Sequence, residues 1–69
     1  MNTAIDRIRH ERTRAFATAC YDTNSVDELR AATEADETDM QQWGIDENRW
    51  HEAVSAALAD TEADLEDDD

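Results

Sequence analysis

Apolar residues recur at helical spacing along three stretches of this chain, and no sustained strand-like alternation interrupts them. Ile5, Ile8, Ala15, Phe16 and Ala19 fall on one helical face, which predicts a first helix from about Thr3 to Tyr21, capped by Asn2 or Thr3. Arg12 projects from the middle of that face. A guanidinium in such a position must reach water over its alkyl stem or find a carboxylate. Arg12 is therefore expected to meet an acid of another helix, or an interface. Asp22, Thr23, Asn24 and Ser25 form a turn-rich segment that ends the helix.

A second helical pattern opens at Ser25-Val26-Asp27-Glu28, the spacing of a capping box, in which hydroxyl and carboxylate each serve the other residue's backbone N–H. It predicts a helix from Val26 to about Glu34 that buries Val26, Leu29 and Ala32, and then a break near Ala35 and Asp36. A short helix follows to Trp43, with Met40 and Trp43 on one face, and Gly44 stands where a left-handed C-terminal cap belongs. Asp46 suits the N-cap of a last helix, and Ile45 ahead of it can pack as a hydrophobic staple. Trp50, Ala53, Val54, Ala57, Leu58 and Thr61 make that helix's apolar stripe. Past Asp60 the acids crowd together, and fraying into a solvated tail is expected. The pattern thus predicts an all-α domain over residues 1–60, a bundle of three main helices plus a short extra one, with an acidic and disordered tail over 61–69. Its centre is expected at Ile8, Phe16, Leu29, Met40, Trp43, Trp50, Val54 and Leu58.

Composition agrees with helices: there is no proline, one glycine, and much Ala, Glu, Asp and Arg. A chain of 69 residues gives one small core of marginal stability, to which a partner or a second copy can contribute. Charge changes the picture more. Nineteen acids stand against six arginines and no lysine, for a net −13. In about 1 M salt the Debye length falls to roughly 3 Å and such a surface no longer repels itself, whereas in dilute buffer it does. The abundance of Asp, Glu, Ala and Thr, the absence of Lys and the final Asp67, Asp68 and Asp69 are features in which the chain resembles the short, highly acidic proteins of halophilic archaea. That resemblance implies a habitat, concentrated salt; a cytoplasmic location is expected from the lone cysteine, which suits a reducing compartment. A single Cys20, no apolar leader and no long apolar run fit the same expectation.

The charge is also uneven. Residues 1–14 carry four arginines and two acids, +2, and residues 15–69 carry two arginines and seventeen acids, −15. On one continuous helix Arg7 and Arg14 share a side, while Arg9 and Arg12 lie near the opposite one. Arg7 and Arg14 are the candidate phosphate contacts, although pairing with the chain's own acids is the simpler expectation. Ser25 to Trp43, with Val26, Leu29, Ala32, Ala35, Met40 and Trp43 at packing positions, resembles the helix-turn-helix of excisionase and MerR-type DNA-binding domains. It departs from that pattern with Glu34 at the turn and with Asp36, Glu37 and Asp39 where a groove-reading helix needs cations. Glu47 and His51 share a helical face as a metal half-site lacking further nameable ligands, and no nucleophile, phosphate-loop or paired-carboxylate motif is present. No enzyme activity, cofactor or metal is expected.

Trp43 and Trp50 stand out, because Trp is enriched at binding hot spots. With Arg12 they are the candidate partner-binding residues. The expected role is a non-enzymatic interaction module that binds a protein partner or self-associates through Ala-rich helix faces, with no membrane contact. A DNA-binding, transcription-related protein is the alternative, disfavoured by surface acidity. An acidic mimic of DNA phosphates for a basic partner ranks below it.

Overall fold

The computed structural model describes residues 3–32 and 34–66, and those residues form five helices and no strand. They are α1 (Thr3–Asp6), α2 (Glu11–Thr23), α3 (Val26–Ala31), α4 (Glu37–Trp43) and α5 (Glu47–Glu66). The long α5 is the spine. It packs against α1, α2 and α3, and α4 rests on α2. The predicted all-α bundle is what the chain forms, with a radius of gyration of 11.3 Å, close to the roughly 11 Å expected of a folded chain this long.

Local chemistry sets most helix ends where the sequence placed them. Ser25 and Glu28 make both halves of the capping box, with Ser25 N–H donating to Glu28 Oε1 at 3.1 Å and Glu28 N–H to Ser25 Oγ at 3.3 Å. Asp36 Oδ1 accepts from the Thr38 and Asp39 N–H groups at 2.8 and 3.3 Å and starts α4. Gly44 ends it at φ 68°, in the left-handed region, and Ile45 N–H then reaches the Met40 carbonyl at 3.0 Å. Asp46 Oδ1 accepts from Arg49 N–H at 2.8 Å at the start of α5. Two ends differ. The second helix stops at Ala31 rather than Glu34. The last one runs on past Asp60 to Glu66, held by Thr61 Oγ1 donating to the Ala57 carbonyl and by Glu62 beside Arg30. Asn2, one of the two expected first caps, and the final Asp67, Asp68 and Asp69 lie outside the described residues.

The larger correction is at the start. The continuous helix expected from Thr3 to Tyr21 is two helices, interrupted at residues 7–10. Three sets of contacts flank the interruption. Asp60, deep in α5 and 3% exposed, accepts the Ala4 and Ile5 N–H groups at 2.9 and 3.0 Å, so a carboxylate from the far end of the chain caps α1. His10 then caps α2: its Nδ1 accepts from Thr13 N–H at 3.3 Å and lies 2.7 Å from the Thr13 hydroxyl. Arg14 Nη1 donates to the Ile8 carbonyl at 3.3 Å and closes the turn between them.

That break resets the helical phase. Ile5 and Ile8 still face the core, but α2 buries Thr13, Phe16, Ala17 and Cys20, and Arg12 and Ala15 turn to solvent. Arg12 therefore meets no acid of another helix among the described residues. Its guanidinium lies over Gly44 instead, with Nη1 2.6 Å from where a Gly44 Cβ would stand. Besides Ile5, Ile8, Phe16, Ala17 and Cys20, the buried core takes in Leu29, Ile45, Trp50 and the Ala53–Val54 and Ala56–Ala57 pairs. Met40, Trp43 and Leu58, expected at its centre, are half-buried at its edge; for Met40 and Trp43 the reason is that α4 buries no residue fully and packs chiefly on α2. Phe16 joins the two indoles, with ring centroids 5.6 Å from Trp43 and 6.4 Å from Trp50.

Candidate binding clefts

Two surface clefts of about 400 Å³ each flank α5. At about 100° per residue, Arg49, Glu52 and Ala56 sit within about 60° of one another on that helix, and Trp50 and Val54 lie about 150° further round. The clefts are thus on opposite flanks of one element, and their linings have opposite character.

One cleft opens among α2, α3, α4 and α5. Phe16, Leu29, Trp50 and Val54 supply apolar surface, Ala31 and Ala32 bring the end of α3, and Glu28 and Asp39 place carboxylates at its mouth. The α3 capping box holds Glu28 there, and Asp39 sits in the first turn of α4. Cys20 lines the same cleft beside Asn24. Burial pushes its thiol from 9.0 up to about 11, the Asp39 carboxylate adds to the rise, and a hydrogen bond with the Asn24 side chain opposes it. A thiol held this way is a poor nucleophile at neutral pH. Trp50 is 3% exposed, and its indole N–H has no acceptor among the described residues, so it acts here as packing surface. Trp43 is half-buried against Phe16 and lines neither cleft.

The other cleft lies between α1, the 7–10 turn and the first half of α5, and is lined by Ala4, Arg7, Ile8, Arg9, Arg49, Glu52 and Ala56. The helix break changes how the basic head is arranged. Arg7 and Arg9, expected on opposite sides of a continuous helix, line the same cleft, and Arg14 is spent on the Ile8 carbonyl. Arg49 joins them from α5 and pairs with Glu52 at 3.4 Å. On a continuous helix Arg9 falls opposite Arg7, and nothing in the sequence marks Arg49, because their place in one cleft depends on the break and on packing across half the chain. Asp60 does carry a signal in the sequence: it falls on the same helical stripe as Ala53 and Ala57.

The remaining candidates stay apart. Arg12 is over Gly44 and lines neither cleft. His51 Nε2 stands 3.8 Å from Glu47 Oε1 on the exposed side of α5, its ring edge-on to Trp50. No group of three or more His, Cys, Asp or Glu side chains among the described residues is placed to hold a metal. In the region resembling a helix-turn-helix, α3 packs on α5 and α4 on α2, and the first turn of α4 carries Glu37 and Asp39. No described helix is long and apolar enough to cross a membrane. Comparison with family models, with curated proteins and with solved structures gives no match to this chain.

Proposed function

We propose that the protein is a non-enzymatic interaction module that receives an apolar side chain, carried on a basic segment of another protein, in the cleft among α2, α3, α4 and α5. The observation that carries this reading is the lining itself: apolar surface from Phe16, Leu29, Trp50 and Val54 with the Glu28 and Asp39 carboxylates at its mouth. An apolar anchor inside a charged rim is how small interfaces obtain both affinity and orientation. The net −13 opposes a second copy of the chain as occupant and favours a cationic one. The same charge supports work in a salt-rich cytoplasm, where the apolar contact strengthens while the charged rim is screened.

The test is a tryptophan-fluorescence titration with a short peptide bearing one Leu or Phe between arginines, in 0.1 M and in 2 M potassium chloride. Binding that shifts the emission and is no weaker in the higher salt is expected. Ala31→Trp, an exposed position on the cleft edge, should fill the entrance and abolish it. Equal binding by Ala31→Trp, or retention of duplex DNA with no response to the peptide, would overturn the reading and favour groove recognition.

A further inference from the structure

We propose that the cleft between α1, the 7–10 turn and α5 is a binding site for a small phosphomonoester, a phosphorylated metabolite of sugar-phosphate or nucleoside-monophosphate size. Three of the chain's six arginines line it, in a protein where acids outnumber arginines nineteen to six. Among the described residues, Arg7 and Arg9 have no carboxylate within ion-pair distance, and Arg49 has Glu52 at 3.4 Å, an exposed contact that holds it weakly. Three arginines lining one cleft favour an anion there, and the segment that carries Arg7 and Arg9 is held at both sides, by Asp60 on the Ala4 and Ile5 N–H groups of α1 and by Arg14 on the Ile8 carbonyl.

Stoichiometry of charge selects the ligand class. Three arginines less Glu52 leave the cleft at +2, the counterpart of a phosphate monoester, which carries nearly two negative charges at neutral pH. Guanidinium forks match phosphate oxygens in pairs. Ala4, Ile8 and Ala56 offer apolar surface for the carbon portion of the ligand, and Glu52 is an acceptor for its hydroxyl groups. The space of about 400 Å³ suits one such molecule. A nucleic acid is the wrong size and sign for the rest of the surface: a polyanion must approach a body of net −13, and its counterion-release gain vanishes in concentrated salt.

The site is independent of the apolar cleft on the other flank of α5, so it can stand or fall alone. The experiment titrates isotope-labelled protein with ribose 5-phosphate and with adenosine monophosphate at fixed ionic strength, with adenosine and inorganic phosphate as controls. Amide shifts confined to residues 4–10 and 49–56 are expected, saturable with both esters and absent with adenosine. Arg9→Gln and Arg49→Gln alter exposed side chains and should leave the melting curve in place while weakening binding about tenfold each. Glu52→Gln should tighten it, and Ala31→Trp should leave it unchanged. No shift with either ester, equal affinity in the arginine variants, or tighter binding of duplex DNA than of the esters at the same salt would overturn the assignment.

Discussion

Asp60 gives the sharpest test of this structure, because two physical accounts of it predict opposite signs. Judged on charge alone, removing one acid from a chain of net −13 relieves repulsion and stabilises the fold. Judged on geometry, the Asp60 carboxylate holds the Ala4 and Ile5 N–H groups at 2.9 and 3.0 Å in a nearly dry environment, and its loss orphans both donors. Hydrogen bonds to a charged acceptor are worth about 1.5–3 kcal/mol each. Asp60→Ala should therefore cost about 3 kcal/mol once the relief of burying one fewer charge is set against two lost bonds. A chain of this length has roughly 3–10 kcal/mol in total. At the usual unfolding entropy per residue, the loss lowers the melting temperature by about 20 °C. Asp60→Asn keeps one acceptor oxygen and turns an amide N–H toward the second donor, so about half that loss is expected. The assay is thermal unfolding by circular dichroism in 2 M potassium chloride, where repulsion is screened, with Asp22→Asn on the exposed side of α2 as the charge control. Amide exchange at Ala4 and Ile5 should accelerate in Asp60→Asn before the rest of the protein opens. Melting within a few degrees of the parent for both Asp60 variants, or a rise matching Asp22→Asn, would refute the capping account.

Replacing His10 by Ala removes the acceptor for Thr13 N–H and strands a fully buried hydroxyl, and should cost about 1–2 kcal/mol; His10→Asn should recover most of it in a urea titration. Gly44→Ala should cost about 1 kcal/mol for its left-handed backbone. Removing Arg12 in the same background should change that little, since the guanidinium near the new Cβ is the mobile end of a flexible side chain; a double-mutant cycle measures the coupling. Cys20, its thiol raised to about 11, should react with a disulfide reagent at pH 8 roughly 100-fold more slowly in the folded protein than in urea. Because the folded state holds that proton more tightly, its contribution to stability is complete below the unfolded thiol's ordinary 9.0 and is lost as pH climbs toward 11. Melting temperature should fall over that interval in the parent and not in Cys20→Ala.

Features legible in the sequence were those whose cause lies within four residues. The Ser25–Glu28 box, Asp36, Gly44 and Asp46 each serve a neighbouring backbone group, so their residue types in order are enough. The break after Asp6 has no such marker. Neither Pro nor Gly stands there, and the apolar spacing reads straight through. The His10 that caps α2 is not among the residue types that usually mark an N-cap, and the Asp60 carboxylate that anchors the start of α1 lies 55 and 56 positions away. A continuous helix carries the wrong phase past that point: it puts Arg12 on the apolar face, leaves Thr13 off it, and sets Arg7 and Arg9 on opposite sides. The cleft among α2, α3, α4 and α5 was half visible. Trp50 stands out in the sequence as an anchor and Leu29 as a core position, but the approach of Glu28 and Asp39 to one opening follows from how two short helices sit on two longer ones.

The tether from Asp60 to Ala4 and Ile5 also fixes an order of events. Loop closure over some fifty-five residues is entropically the most demanding contact in the molecule. α5 and its packing against α2 can form without it, so docking of α1 belongs to the late side of the folding barrier. Weakening the tether should then hasten unfolding and leave the refolding rate nearly untouched. The arginine-lined hollow, assembled from both ends of that loop, is accordingly the last part of the protein to take shape and the first to come apart.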